Sequence, residues 1–246
     1  MPLRTADGRS MRKLFIYMVI LALCSCEVIP EDERLIPVET EPSGHRTHVL
    51  LEFTGFRCVN CPTASETALN LQAVYGEQLT VVALHPASNP FTQGKYDYTC
   101  PAADSIYQWM GGDASTPFPA GNLDMKIYEG SWFVNMSEWA TMVYQAMSDT
   151  VVPNLDAAEL SYWLVEDSIQ GVQAMPDGTV NMEYYHRHVL RDIQANKADI
   201  TIPEGANPAQ LTLITVYSDP KDKHILQAYE KKLHFGSDMP SVGNQR

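Results

Sequence analysis

The sequence predicts an α/β domain followed by an all-β domain, the second an antiparallel β-sandwich. Two apolar, β-prone runs at 48–54 (HVLLEFT) and 80–85 (TVVALH) flank a stretch of helical periodicity, the strand–helix–strand order of a mostly parallel sheet. After residue 159 the pattern becomes short alternating segments separated by Pro, Gly and Asp, as in a sandwich.

In chain order, the first element is an export signal. Arg12 and Lys13 precede an unbroken apolar run at 14–23 (LFIYMVILAL). Ten residues at ~1.5 Å of rise each reach about half of a ~30 Å hydrocarbon core, so the run fits a signal peptide and not a spanning helix. It ends in Leu23-Cys24-Ser25-Cys26, the form of a bacterial lipobox with Cys26 as the acylated residue. Bulky Leu23 fits badly at the cleavage position that Cys24 would require. Residues 1–10 add nothing to such a signal, which makes Met11 an alternative start. Residues 1–25 are therefore expected to be removed, and acyl chains on Cys26 to hold the protein at a membrane.

Residues 26–46 are rich in Pro and Glu without periodicity and read as a tether. The acidic cluster Glu27, Glu31, Asp32 and Glu33 resembles a surface-export signal of some lipoproteins. Residues 47–149 are assigned to the α/β domain. Between its first two strands Ala64, Ala68, Leu71 and Tyr75 repeat at helical spacing, and a right-handed crossover is expected. A polar loop over 87–101 holds Cys100, and residues 103–110 predict a short helix. Thr116-Pro117-Phe118-Pro119 leads into a strand through Leu123 and Met125. Asn135 with Glu138 reads as a capping box for a helix bearing Trp139, Met142, Val143, Ala146 and Met147 on one stripe. Residues 150–158 form a linker and 159–236 the sandwich, with strands around Leu160–Leu164 and Leu211–Thr215 and further extended candidates at 179–190, 198–203 and 224–234. Residues 237–246 read as a disordered tail.

Charge excludes some partners. Loss of residues 1–25 removes Arg4, Arg9, Arg12, Lys13 and Asp7, moving the formal charge from -13 to -16. So acidic a body does not suit nucleic acid or anionic lipid surfaces. The expected partners are the membrane, through the lipid anchor, and thiol-containing envelope proteins or surface ligands.

The chemistry-bearing motif is Cys58-Val59-Asn60-Cys61. It follows a buried strand and opens a helix, where two cysteines three residues apart lie within bridging distance. Exposed N–H groups, the helix dipole and Arg57 all favour a thiolate at Cys58, making it the attacking sulfur and Cys61 the resolving one. No second Cys pair or His pair at finger spacing follows, which weighs against structural zinc. Outside the cytoplasm the pair is expected to be oxidised.

The setting resembles that of thioredoxins. The resemblance implies a proton-handling acid on the preceding strand, matched by Glu52, and a cis-proline across the site, matched by Pro119 with Pro117 as alternative. This chain departs from the thioredoxin pattern in carrying Phe56-Arg57 before the motif and Val59-Asn60 inside it. Over 48–235 the chain is similar to the outer membrane protein twenty-eight family of envelope lipoproteins. The similarity rests on Leu50-Leu51-Glu52-Phe53-Thr54-Gly55, Cys58-Val59-Asn60-Cys61-Pro62 and Tyr185-His186-Arg187-His188-Val189-Leu190-Arg191. It implies a thioredoxin-like domain followed by an antiparallel β-sandwich in an outer-membrane lipoprotein facing the periplasm or the cell surface.

Two functions are compatible with these residues. One is thiol–disulfide exchange through Cys58, Cys61, Glu52, Pro119 and Arg57. The other is a non-catalytic surface-binding lipoprotein in which the Cys58–Cys61 pair is a structural bridge. No cofactor is expected. His186 and His188 would share a face of one strand, but no third metal ligand is visible among His85, His224 and His234, and solvated or hydrogen-bonded histidines are expected. Cys100 reads as an idle thiol. Asp104-Ser105-Ile106, Asp149-Thr150-Val151 and Asp167-Ser168-Ile169 match a bacterial O-glycosylation tripeptide, and Trp132, Trp139 and Trp163 read as core.

Overall fold

A computed structural model describes residues 44–195 and 200–233. The signal peptide, Cys24, Cys26, the acidic cluster at 27–33, His234 and the C-terminal tail lie outside the described residues.

The first half has the expected order. β1 (His48–Phe53) and β2 (Leu79–Leu84) are buried at every residue and pair in parallel from His48↔Leu79 to Phe53↔Leu84. Their connection is helix α1 (Cys61–Tyr75), which buries Ala64 and Ala68. Helix α2 (Pro101–Trp109) begins two residues before the predicted start. β3 (Ala120–Leu123) pairs antiparallel with β1 and stops where Asp124 and Met125 take positive φ, so Met125 falls outside the strand. The two-residue β4 (Val134–Asn135) follows. Asn135 then caps a 3-10 turn, accepting from the Ser137 N–H at 3.0 Å, and helix α3 (Trp139–Ala146) continues from it. Trp139 is fully buried under β3, where a Cβ on Gly121 would stand 2.3 Å from its indole nitrogen.

The second half corrects the sandwich expectation. Its strands are β5 (Glu159–Glu166), β6 (Ile169–Ala174), β7 (Val180–His186), β8 (Val189–Gln194), β9 (Leu211–Ser218) and β10 (Ile225–Lys232). Four of them extend the first sheet into one of eight strands, ordered β10-β9-β5-β8-β2-β1-β3-β4, while β6 and β7 form a separate two-stranded sheet. No separate sandwich forms among the described residues; the protein is a mixed α/β fold. The join is β8 on β2, where Ala83 donates its N–H to the His188 carbonyl at 2.7 Å. An open β2 edge would leave buried backbone groups without partners, and β8 supplies them.

Layered packing still arises, within one sheet. β10 returns to the start of β1: Ile225 donates its N–H to the Asp124 carbonyl at 2.9 Å, and Thr47 donates its N–H to Gln227 Oε1 at 2.7 Å. The β1 face carrying Val49, Leu51 and Phe53 thus shares a core with Trp163, Val165, Ile214 and Ala228. The opposite face, with Leu50 and Val81, packs on Ala64, Ala68, Trp139 and Val143. Alternation along β1 therefore decides which layer each residue joins.

The run predicted as extended over 179–190 is two strands. His188 sits between them at φ 53°, its N–H held by Asp167 Oδ1 at 3.0 Å. Of the 198–203 candidate, Ile200 is buried but belongs to no named strand. Strand β6 (IQGVQA) falls in none of the predicted segments, because its Gly and two Gln give it little β character.

Candidate functional site

Between β1 and α1 the chain makes a tight loop, Thr54-Gly55-Phe56-Arg57. Thr54 keeps the sheet register by donating its N–H to the Leu84 carbonyl at 3.0 Å. A Cβ on Gly55 would lie 2.6 Å from the Phe91 carbonyl oxygen, so only glycine admits that approach. Arg57 donates its N–H to the same carbonyl at 3.0 Å, and its exposed guanidinium reaches the Gln93 carbonyl at 3.3 Å.

Cys58 and Cys61 form a disulfide with Cα atoms 5.4 Å apart. Cys58 precedes the helix and Cys61 is the first residue of α1, with Pro62 in the first turn. Both cysteines are only 1% exposed, whereas Val59 between them is 45% exposed. Cys58 is thus no more accessible than Cys61 in the oxidised protein, against the accessibility expected of an attacking sulfur.

The cover over the loop comes from β6. Gln173, itself buried, donates from Nε2 to the Cys58 carbonyl at 2.9 Å, and Ala174 donates its N–H to the Phe56 carbonyl at 2.8 Å. The strand is seated by Tyr98, whose hydroxyl accepts from the Val172 N–H at 3.0 Å. A Cβ on Gly171 would stand 1.8 Å from that hydroxyl oxygen, so glycine is required there too.

Glu52 lies on the β1 face that packs on α1 and is 2% exposed. Burial raises its pKa from the ordinary 4.5 to about 7, and a hydrogen bond donated by the Ser65 hydroxyl at 2.6 Å opposes the rise. Ser65 is one helical turn beyond Cys61. Together with Thr54, His85, Tyr184 and His186, these two residues line a narrow cavity behind the disulfide.

On the other side, the Phe118–Pro119 peptide is cis and leads directly into β3. Pro119 lines an open cavity with Asn60 and Thr63, which flank Cys61 in sequence, and with Phe133 and Val134; Pro117 lines the same cavity. Glu52, the disulfide and Pro119 are therefore gathered at one end of the sheet. Arg57 is nearby in sequence but directs its charge to the 93 loop.

The remaining predicted residues take structural positions. Cys100 is a buried free thiol that caps α2, its Sγ accepting from the Ala103 N–H at 3.4 Å, and burial raises its pKa. His186 is buried, bonds the Val172 carbonyl through Nε2 at 3.1 Å, and has a pKa lowered to about 4 by burial. Because the chain turns after His186, His188 shares no strand face with it. His85 meets His186 edge-to-face with ring centroids 5.7 Å apart, and neither of its ring nitrogens has a hydrogen-bond partner. His224 lies 3.1 Å from Asp222 on the far hairpin. Among the described residues no group of three or more His, Cys, Asp or Glu could hold a metal ion, and no helix is long and apolar enough to cross a membrane. Ser65, Gln173, Tyr98 and Tyr184 were not singled out from sequence. Only Ser65, at i+4 from Cys61, carried a local signal.

No family model matches the chain, and no curated protein matches it. Among solved structures it is similar to HBP35 of Porphyromonas gingivalis, with 12% identity, a TM-score of 0.54, and coverage of 84% of this chain and 80% of that one. At that identity the likeness shows a shared fold alone. A crystallised protein of Agrobacterium tumefaciens covers 83% of this chain and 100% of its own at 12% identity, but its TM-score of 0.43 carries no argument.

Proposed function

We propose that the protein is an outer-membrane lipoprotein, anchored through Cys26, whose thioredoxin-like half performs thiol–disulfide exchange through Cys58 and Cys61. The reading is carried by one arrangement: a disulfide at a strand-to-helix junction, with a buried carboxyl of pKa about 7 behind it and a cis-proline beside it. A group that titrates near neutrality suits proton transfer at physiological pH. The resemblance to the outer membrane protein twenty-eight family supports the same envelope setting.

In the reducing direction, the Cys58 thiolate attacks a client disulfide and releases one client thiolate. Cys61 then attacks Cys58 Sγ, re-forming the Cys58–Cys61 bond and releasing the second. Glu52 takes the Cys61 proton as that sulfur becomes the nucleophile. Cys61→Ser should therefore accumulate mixed disulfides on Cys58, and Cys58→Ser none, read by mass spectrometry of trapped adducts. Absence of adducts in Cys61→Ser would end the exchange reading.

A second reading has its own support. Both cysteines are 1% exposed and Gln173 pins the Cys58 carbonyl, as suits a structural bridge in a surface-binding protein. A reduction potential far below about -300 mV would favour it, since bridges that deep resist the ambient thiol pool.

A further inference from the structure

Three residues, Ser65, Tyr184 and Arg187, belong both to the narrow cavity behind the disulfide and to a neighbouring cleft. That cleft is open, with a volume of about 530 Å³, and lies between α1 and β7. Ser65 is half-buried, and its hydroxyl donates to Glu52 Oε1 at 2.6 Å. Tyr184, also half-buried, faces Ser65 across the cleft from the hairpin side. Glu52 itself is 2% exposed and has no place in the cleft lining.

We propose that the Ser65 hydroxyl carries protons between Glu52 and the α1–β7 cleft. The inference rests on the exchange reading above and adds where the proton goes. A serine hydroxyl has one proton to give and two lone pairs to receive with. When Glu52 is ionised, that proton points at Glu52, which leaves the Ser65 lone pairs to accept from the cleft side. A proton arriving at Ser65 Oγ from the cleft then moves the original one onto Glu52. When Glu52 is protonated the bond reverses, Glu52 donating to Ser65 and Ser65 outward, and the same two steps run in the other direction. Each transfer breaks one O–H bond and makes one, so no charge stays on Ser65. Exchange at Cys61 changes the proton count at Glu52 by one per cycle, and this path restores it without opening the cover that β6 places over Cys58.

Other groups face the path. Glu66 on α1 and Glu183 on β7 flank its cleft end, and Arg187, just after β7, lines both the cleft and the narrow cavity. His85 and His186 face the narrow cavity, but His85 has no hydrogen-bond partner and His186 is bonded to the Val172 carbonyl, so neither continues the chain from Glu52. Glu52 and Glu66 both act on Tyr184 electrostatically, as does Arg187 with the opposite sign.

The test uses the full chain and dithiothreitol as the reducing probe. The rate of Cys58–Cys61 reduction is followed by alkylation and mass spectrometry from pH 5 to pH 9, in H₂O and D₂O. Ser65→Ala should slow the reaction by about tenfold or more, the lower side of what a positioned acid–base group contributes. It should also move the pH midpoint upward, because the hydrogen bond that opposes the rise at Glu52 is gone. Ser65→Thr should restore both. Ser65→Val, which has the shape of Thr without the hydroxyl, should be slow and lose the solvent isotope effect; if Ser65→Ala does not fold, this variant decides. Reduction at the wild-type rate in Ser65→Ala, or in Ser65→Val with an unchanged isotope effect, overturns the path while leaving exchange intact. A wild-type protein that dithiothreitol reduces at a rate independent of pH, beyond the reagent's own titration, overturns both.

Discussion

Replacing Glu52 by Gln should make the folded protein more stable, by an amount that depends on pH with a defined sign. The carboxyl is buried at 2% exposure, and its pKa is raised from 4.5 to about 7, chiefly by burial. Between those values the folded chain holds a proton that the unfolded chain has released, so stability falls as pH rises through that window. The full penalty is present above pH 7 and absent below about 4.5. At 1.36 kcal/mol per unit of pKa, the displacement corresponds to roughly 3 kcal/mol. Gln has nearly the same shape, never ionises, and keeps an oxygen for the Ser65 hydroxyl. The difference in unfolding free energy between Glu52→Gln and wild type should therefore be near zero at pH 4 and grow to roughly 3 kcal/mol in favour of the mutant at pH 8. Urea denaturation of the oxidised proteins at pH 4, 6 and 8 measures it, and the comparison cancels every other titrating group. A difference that stays flat with pH, or grows in favour of wild type, would refute the assignment of a neutral buried carboxyl at this position.

Other outcomes follow from the cover over the loop and from the anchor. Gln173→Ala removes the donor to the Cys58 carbonyl from a buried site; it should cost about 1–3 kcal/mol in thermal or urea unfolding and speed reduction of the disulfide. Gly171→Ala places a methyl 1.8 Å from the Tyr98 hydroxyl, which should cost about 1–3 kcal/mol of overpacking and be partly relieved by Tyr98→Phe in the double mutant. Cys26→Ala should release the protein from the membrane fraction in a folded state; continued pelleting after a salt wash would remove the lipobox reading.

How much was legible depended on how local each signal was. β1 and β2 announced themselves because a strand buried on both faces is an unbroken apolar run, and Glu52 stood out as the one acid within it. The Cys58–Cys61 pair and Pro119 were legible because each is defined by its neighbours in sequence. Gln173 was not, since the carbonyl it holds is 115 residues away and β6 carries no periodicity. The sandwich expectation failed for a related reason. Alternation in Leu160–Leu164 and Leu211–Thr215 identifies strands with two unlike faces but is silent on which edge they join. That choice was made by the open edge of β2, which Val189 fills. Tyr184 needed both pieces at once, a hairpin placed correctly and a helix face placed against it.

The buried acid also bears on the choice between the two functional readings. A structural bridge between residues three apart has no use for a carboxyl behind it, and at neutral pH that carboxyl lowers the stability of the fold that contains it. Among the described residues one side-chain hydrogen bond, from Ser65, reaches it, too little to offset the burial of a charge. The exchange reading gives the residue a task, because a group with a pKa of about 7 can both take and return a proton at physiological pH. The two readings then predict different pairs of outcomes for Glu52→Gln. Under exchange, the mutant is more stable at pH 8 yet slower to cycle its disulfide, stability and activity moving in opposite directions. Under a structural bridge, the mutant is more stable and its disulfide responds to dithiothreitol as the wild type does, apart from any change due to the tighter fold. Measuring both quantities on one preparation at pH 8 separates them: a stabilised mutant with undiminished reduction kinetics would assign Glu52 no part in the chemistry and leave the bridge as the better account.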